Sequence, residues 1–577
     1  MNRGQVPRWP AAQTSNDDNL MTEMTGREAF MRVLEDEGVE YLFGNPGTTE
    51  LPIMDVLVDH PRLRYVLALQ EAVVVGMADG YSRASGRLSC VNIHVAPGLG
   101  NAIGAIYNAK FAGSPVLITA GQHDKGHGLT EPMLHDDLVS MAAPVVKWSV
   151  EVERVEDLPR VVHRAAKVAQ TPPSGPVFVS LPGNVLTGSA EVDLGAATPV
   201  DSRTRPSDEA LERMAERLLS AGAPVIIAGH EVYSSDASSE LAAVAELLGA
   251  PVYNQSTPYL AVFSTDHPLF MGEITRDQVR VRRSLEPHDL LLMAGGDGLR
   301  MSVPGPVEPL PSGLPIIQVG TRDWELGKNY PAEIALDADV KETLRALLPV
   351  LEGRLTPARR EAARRRTEAV QANNWAAQRK ALTGKAQELS SASPIRAEYL
   401  MMQIAGTLPE DAVVVDEGIT STRTLLGLLS VRERQRYYGL ASGGIGWGIA
   451  GAIGVQLALP ERPVVAVIGD GSSMYSIQAL WTAAHLNLPI TFVIANNGGY
   501  TILKERLIAF GGASVAKETI IGMDFNPPID FTGLAASLGV NSRRVENPAD
   551  IAEALRAAMA EPGPVLLDVA IHDGYRG

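Results

Sequence analysis

Cysteine is almost missing from this 577-residue chain, which carries Cys90 alone. No internal disulfide can form, and a reducing compartment, the cytoplasm, is the simplest setting. Positive charge is also in short supply: 50 Lys and Arg face 67 Asp and Glu, a net charge of −17. Such a surface suits neither a non-specific nucleic-acid binder nor an anionic membrane. No run approaches the roughly eighteen consecutive apolar residues of a transmembrane helix. The opening stretch, Met1 to Leu20, has no apolar segment of the signal-peptide kind. Residues 1–21 therefore read as a disordered tail, with Met21 or Met24 as alternative starts.

What remains has the balance of a folded enzyme, with 45% hydrophobic and 20% charged residues. The length predicts roughly two to four domains, whose cores need no disulfide or metal staple. Strand-like apolar runs alternate with amphipathic helical stretches in three blocks. Residues 22–195 hold Tyr41-Leu42-Phe43, Cys90 to Ile93, Pro115 to Ile118 and Pro176 to Val179. After a Pro-, Ser- and Arg-containing linker, residues 206–350 hold Pro224 to Ala228, Asp289 to Leu292 and Pro315 to Gln318. Residues 351–393 include Arg359, Arg360, Arg364, Arg365 and Arg366, and read as a solvated basic linker helix. Residues 394–577 hold Val413 to Val415, Pro463 to Ile468, Ile490 to Ile494 and Val565 to Asp568. Such alternation predicts an α/β chain of three doubly wound parallel-sheet domains, the first and third alike in pattern.

The strongest chemical signal is Gly469-Asp470-Gly471-Ser472 after an apolar strand, followed by Asn496-Asn497-Gly498-Gly499. A helix from about Ser476 to Leu486 separates them, and both lie at carboxyl tips of parallel strands, where such sheets bind ligands. The glycines admit a phosphate close to backbone, and a helix N-terminus adds N–H donors. Asp470 and the Asn497 oxygen are hard donors suited to Mg²⁺. The run Gly443 to Gly454 lacks the strand–GxGxxG–helix context of a dinucleotide site and reads as cofactor positioning and helix packing. In Leu67-Ala68-Leu69-Gln70-Glu71-Ala72, Glu71 opens a helix over Ala72 to Ser82. Spacing alone leaves it either a surface first-turn carboxylate or an active-site one. His127, His135 and Asp136 lack tight metal-ligand spacing.

With these motifs the chain resembles the thiamin-diphosphate-dependent enzymes of the 2-oxo acid decarboxylase and acetolactate synthase superfamily, over nearly everything past the tail. The resemblance implies a pyrimidine-binding first domain, a largely structural central domain and a diphosphate- and Mg²⁺-binding third domain. It makes Asp470, Asn497 and the Gly499 carbonyl the metal ligands. Gly443, Gly471, Ser472, Tyr500 and Thr420 become cofactor contacts, and Ile445 the apolar residue that holds the cofactor bent. Glu71 becomes the carboxylate that exchanges a proton with the pyrimidine ring. That exchange leads to a ylid that attacks a carbonyl and to an enamine once the carbon–carbon bond breaks. Because the family builds each site from two subunits, a homodimer is implied at least, with a homotetramer the expected assembly.

Within the superfamily, Tyr41 to Pro52, Leu69 to Gly76, Asn108-Ala109 and Ser472 to Ala484 are similar to the benzoylformate decarboxylase branch. His94 falls on one of its two catalytic histidines and Thr48 on its catalytic serine. Three departures stand out. No histidine lies in Gly298-Leu299-Arg300-Met301-Ser302, where the second is expected, and Ser302 takes its place. Glu505 and Arg506 replace aromatic walls of the phenyl pocket. Since desolvating such charges is costly, they either point to solvent or face a polar substrate. The implied reaction is non-oxidative decarboxylation of a 2-oxo acid other than benzoylformate. Carboligation of the acetolactate synthase or benzaldehyde lyase type and 2-hydroxyacyl-CoA cleavage are the alternatives. A non-catalytic scaffold role is disfavoured by the intact Glu71, Asp470 and Asn497. The middle block has no clear flavin signature.

Overall fold

The computed structural model describes residues 21–256, 259–301, 305–511 and 520–574. Of the tail, only Met21 is among them, and Ser302 lies outside the described residues. The strand Val464–Gly469 shows why parallel sheets form. Its β-branched run is buried on both faces, which only a sheet covered by helices on each side can provide.

Three six-stranded sheets result, every pairing parallel. The first runs in space Arg64–Leu67, Tyr41–Gly44, Ser89–Ile93, Val116–Gln122, Val177–Pro182, Ser149–Glu151. The third runs Tyr437–Gly439, Val413–Glu417, Val464–Gly469, Ile490–Asn496, Val565–Ala570, Asn541–Val545. Counted along the chain within each sheet, both have the order 2-1-3-4-6-5, which gives physical content to the likeness of the two blocks. The middle sheet runs Phe270–Glu273, Val252–Asn254, Pro224–Ala228, Leu290–Ala294, Ile316–Gly320, Ile334–Asp337, the order 3-2-1-4-5-6. A two-stranded antiparallel ribbon, Thr22–Thr25 with Ser189–Val192, joins the two ends of the first block.

The order of strand succession reverses between Tyr41–Gly44 and Ser89–Ile93 in the first sheet, and between Val413–Glu417 and Val464–Gly469 in the third. Each reversal opens a crevice at the carboxyl ends of the strands. The two sheets are joined through the helices Glu71–Ser85 and Gly448–Ala458, which cross at glycine contacts. A Cβ on Gly80 would lie 2.2 Å from the Gly451 carbonyl oxygen, and one on Gly454 would lie 2.0 Å from that of Met77.

The basic stretch differs from its sequence reading. It forms two helices, Pro357–Gln371 and Trp375–Gln387, and several of its residues are docked rather than solvated. Arg366 Nε donates to the Leu248 carbonyl (3.0 Å), Arg379 pairs with Asp266 (2.6 Å), and the Trp375 ring meets Phe270 edge to face. Composition marks the charge there but not its partners. Arg364 does stay outside, paired with Glu361 and Glu368. Among the described residues no helix is long and apolar enough to cross a membrane.

Candidate active site

At the reversal of the third sheet, the strand Val464–Gly469 ends where Asp470 begins a short helical turn, Asp470–Ser473. The buried Asp470 carboxylate accepts the N–H groups of Gly471 (2.7 Å), Gly498 (2.7 Å) and Gly499 (3.2 Å). Desolvation pushes its carboxyl up to about 6 despite these donors. Asn497 Oδ1 accepts from Gly499 N (3.2 Å), so both side chains point at one glycine turn. A Cβ on Gly471 would lie 2.6 Å from the Tyr500 ring, which packs edge to face on Phe525. Ser472 is buried beside it, and Thr420, on the turn after Val413–Glu417, is half-buried. Gly443 has φ +84°, within the turn that presents the half-buried Ile445.

At the reversal of the first sheet, His94 follows Ser89–Ile93. Its Nδ1 lies 2.8 Å from Glu50 Oε2 and 3.0 Å from Thr49 Oγ1. Glu50 is fully buried and also accepts from Gly47 N (2.9 Å), Gly121 N (2.8 Å) and the Thr49 hydroxyl (2.8 Å). The next residue after His94, Val95, is buried at φ +39°, a strained conformation for a β-branched side chain. The ring is thus held by Nδ1, leaving Nε2 without a hydrogen-bond partner among the described residues. Thr48 is exposed at the start of the same turn, and it is the neighbouring Thr49 whose hydroxyl reaches His94. Glu71 is the first residue of the helix Glu71–Ser85, half-buried, and accepts from Asn101 Nδ2 (3.0 Å).

The chain matches the thiamine pyrophosphate enzyme family in three stretches. These are its N-terminal TPP binding domain over residues 24–141, its central domain over 211–347 and its C-terminal TPP binding domain over 419–569. It is 34% identical over 549 residues to a benzoylformate decarboxylase of Pseudomonas aeruginosa, covering 94% of this chain and 98% of that one. This chain belongs to the thiamine pyrophosphate-dependent enzymes. Acetolactate synthase isozyme 1 large subunit of Escherichia coli is 27% identical, over 97% of this chain and 96% of its own. Among solved structures, a 4-hydroxybenzoylformate decarboxylase of Rhodococcus jostii superposes with a TM-score of 0.83 at 32% identity, covering 95% of this chain and 99% of that one. A benzoylformate decarboxylase of Polynucleobacter necessarius gives 0.84 at 28% identity, with 95% and 99% covered.

The residues of this thiamine pyrophosphate enzyme fit the cofactor and its metal. A buried carboxylate and an amide oxygen meet at one glycine turn as hard oxygen donors, with the Gly499 carbonyl in the same turn, and a cation would offset the charge on Asp470. Among the described residues no three His, Cys, Asp or Glu side chains cluster as a metal site. The space beside Gly443 and Gly498 is open to a ligand.

Within one chain the Glu71 carboxylate bonds to Asn101 of its own block. Arg83 stacks over Trp447 (4.4 Å) and donates to the Gly439 carbonyl (2.8 Å), so the last turns of Glu71–Ser85 lie against the cofactor turn. Glu71 opens the other end of that helix, where a Cβ on Gly76 would lie 2.8 Å from Ala450 just past the Gly443–Gly448 turn. Of the two charged departures, Glu505 forms a two-pronged ion pair with Arg423 (2.6 and 3.0 Å), and Arg506 is exposed. Glu50, Asp416, Glu417 and the buried Lys504, which pairs with Asp524, escape a reading of the sequence. Only Glu50 has a signal there, standing three residues after Gly47 as in a capping box.

Proposed function

We propose that this chain is a cytoplasmic, Mg²⁺-dependent lyase that removes CO₂ from a 2-oxo acid without oxidation. The observation that carries the reading is His94, gripped on Nδ1 by buried Glu50 and Thr49 at the carboxyl edge of the first sheet. Bound thiamin diphosphate supplies the nucleophilic carbon and the electron sink. Asp470, Asn497 and the Gly499 carbonyl would hold the metal, and Gly443, Thr420, Gly471, Ser472 and Tyr500 the diphosphate end. Ile445, on the Gly443–Gly448 turn, would support the cofactor. Glu71 would exchange a proton with the pyrimidine ring of the bound cofactor. His94, held through Nδ1, would supply a proton from Nε2 to the carbon that has lost CO₂. Thr48 offers a hydroxyl at the mouth of the same crevice. The Glu71 carboxylate bonds within its own block, to Asn101, and the family resemblance supports a site shared by two subunits, hence a homodimer at least and a homotetramer.

The Arg423–Glu505 pair and the exposed Arg506, where the related decarboxylases resembled at the sequence level carry aromatic walls, support a substrate with a polar or charged distal group. Likeness to acetolactate synthase over nearly the whole chain supports carboligation as the second reading, with a second carbonyl compound as acceptor. The deciding experiment is CO₂ release across aromatic, branched, straight-chain and acidic 2-oxo acids with cofactor and Mg²⁺ present. Release from the polar or acidic class is expected. Silence across the panel with cofactor bound would transfer the assignment to carboligation or 2-hydroxyacyl-CoA cleavage.

A further inference from the structure

The strand Val413–Glu417 ends in two consecutive buried carboxylates at the crevice of the third sheet. Side chains alternate along a strand, so Asp416 and Glu417 point to opposite faces. Each finds a different turn. Glu417, 1% exposed, accepts the backbone N–H of Gly446 through Oε1 and of Gly448 through Oε2, and the Trp447 N–H also faces it. Asp416 accepts from Gly418 N (3.0 Å) and from the Tyr437 hydroxyl (2.8 Å), with the Thr422 hydroxyl as a third donor.

The backbone around these contacts is built for them. A Cβ on Gly448 would come within 3.0 Å of both Glu417 Cβ and Oε2. Gly446 has φ +107°, and a Cβ there would also lie 2.6 Å from Tyr475 Cβ. Ile419, a β-branched residue, is held at φ +51° on the turn that Asp416 grips. From the far side, Asn108 Oδ1 accepts the Ser442 N–H (3.1 Å) while its Nδ2 donates to Asp79 (3.1 Å). Among the described residues no cationic side chain pairs with Glu417, and burial pushes its carboxyl up to about 7 even with three N–H donors. A buried carboxylate satisfied only by main-chain donors is costly to keep unless the geometry it imposes is needed.

We infer that Asp416 and Glu417 are positioning residues that fix the two cofactor-holding turns, Glu417 setting Gly446–Gly448 and so the reach of Ile445, and Asp416 setting Gly418–Thr422 and so Thr420. The inference rests on the thiamin diphosphate reading of the site. Neither carboxylate touches the reacting atoms. Their work is to have both turns in place before the cofactor arrives, so that binding does not have to order them.

The test uses the full-length chain without cofactor, read by hydrogen–deuterium exchange, followed by titration with thiamin diphosphate and Mg²⁺ monitored by circular dichroism. Glu417→Gln keeps the size but has one acceptor oxygen instead of two, and its NH₂ faces N–H groups. In that variant the amides of residues 446–448 should exchange at least ~10-fold faster, with those of 418–422 unchanged. Its affinity for thiamin diphosphate should fall ~10–100-fold and the bound-cofactor dichroism band should weaken. Asp416→Asn should show the opposite pattern, loosening 418–422 and sparing 446–448. Glu417→Asp, which keeps the charge on a shorter arm, should fall between wild type and Glu417→Gln, and it decides the matter if Glu417→Gln does not fold. Wild-type exchange at 446–448 in the folded Glu417 variants, or weakened binding with that exchange unchanged, would overturn the inference. A wild-type chain that binds no thiamin diphosphate overturns the functional reading instead, while exchange at 446–448 still decides the clamp.

Discussion

Glu71 and His94 should both be separable from cofactor binding. Glu71→Gln removes the proton acceptor but no ligand of the metal turn. Turnover should be lost while Mg²⁺ and thiamin diphosphate still bind, as calorimetric titration of the variant would report. Retained turnover would remove Glu71 from the chemistry. His94→Ala should leave cofactor binding intact and lower the rate by ~10²–10⁴-fold, the range for loss of a general acid or base. Glu50→Gln should imitate much of that loss without touching substrate, because the amide still fills the pocket but no longer offers two acceptor oxygens to His94, Gly47, Gly121 and Thr49. A wild-type pH–rate profile in Glu50→Gln would show that the carboxylate does not act through the histidine.

Elements are pinned to one another by buried contacts of small area. Gly454 touches the Met77 carbonyl so closely that Gly454→Ala must push the helices Glu71–Ser85 and Gly448–Ala458 apart. The expected loss is about 1–3 kcal/mol, measurable by denaturant unfolding. Asp266 ties the middle block to the linker helix Trp375–Gln387 through Arg379, and to the third block through Ser430 and Arg432. Burial alone would raise its carboxyl, but the hydrogen bonds from Ser430, Arg379 and Arg432 outweigh it and hold the group at about 2. A carboxyl lowered by folding adds stability above its unfolded value near 3.8 and loses it as pH falls toward about 2. Asp266→Asn should therefore flatten the acid limb of the stability curve in that window and cost stability at neutral pH. An unchanged acid limb would mean that the three partners contribute nothing net.

For the whole molecule, the question is whether a site belongs to one chain or two. Glu71→Gln and Asp470→Ala should each be inactive alone. If sites are shared, a mixed dimer of the two variants contains one site with an intact Glu71 from one chain and an intact Asp470 from the other. Co-refolded or subunit-exchanged mixtures should then recover about a quarter of wild-type activity, the statistical share in a C₂ dimer. No recovery, with mixed dimers demonstrated, would place both residues in one chain's site.

Much of this is legible in residues alone. The β-branched runs, the Gly-Asp-Gly-Ser and Asn-Asn-Gly-Gly turns and the Gln-Glu-Ala helix start are local, because strand burial, phosphate approach and first-turn carboxylates each demand particular residue types at short spacing. Apolar character stops at Val415, whereas the strand runs on through Asp416 and Glu417. Buried carboxylates look in sequence like surface ones, and only folding shows that the partners of Glu417 are main-chain amides some thirty residues away. The basic stretch looks solvated for the same reason, since an arginine against a distant carbonyl leaves no mark in composition. Composition and pattern thus determined the α/β class, the alternating blocks and the Gly-Asp-Gly-Ser turn at the strand tip. Tertiary structure alone decided that Thr49 rather than Thr48 meets His94, that Glu505 is taken by Arg423 and that Glu71 meets Asn101. Those facts depend on where separate strands end in space, and no local rule encodes that.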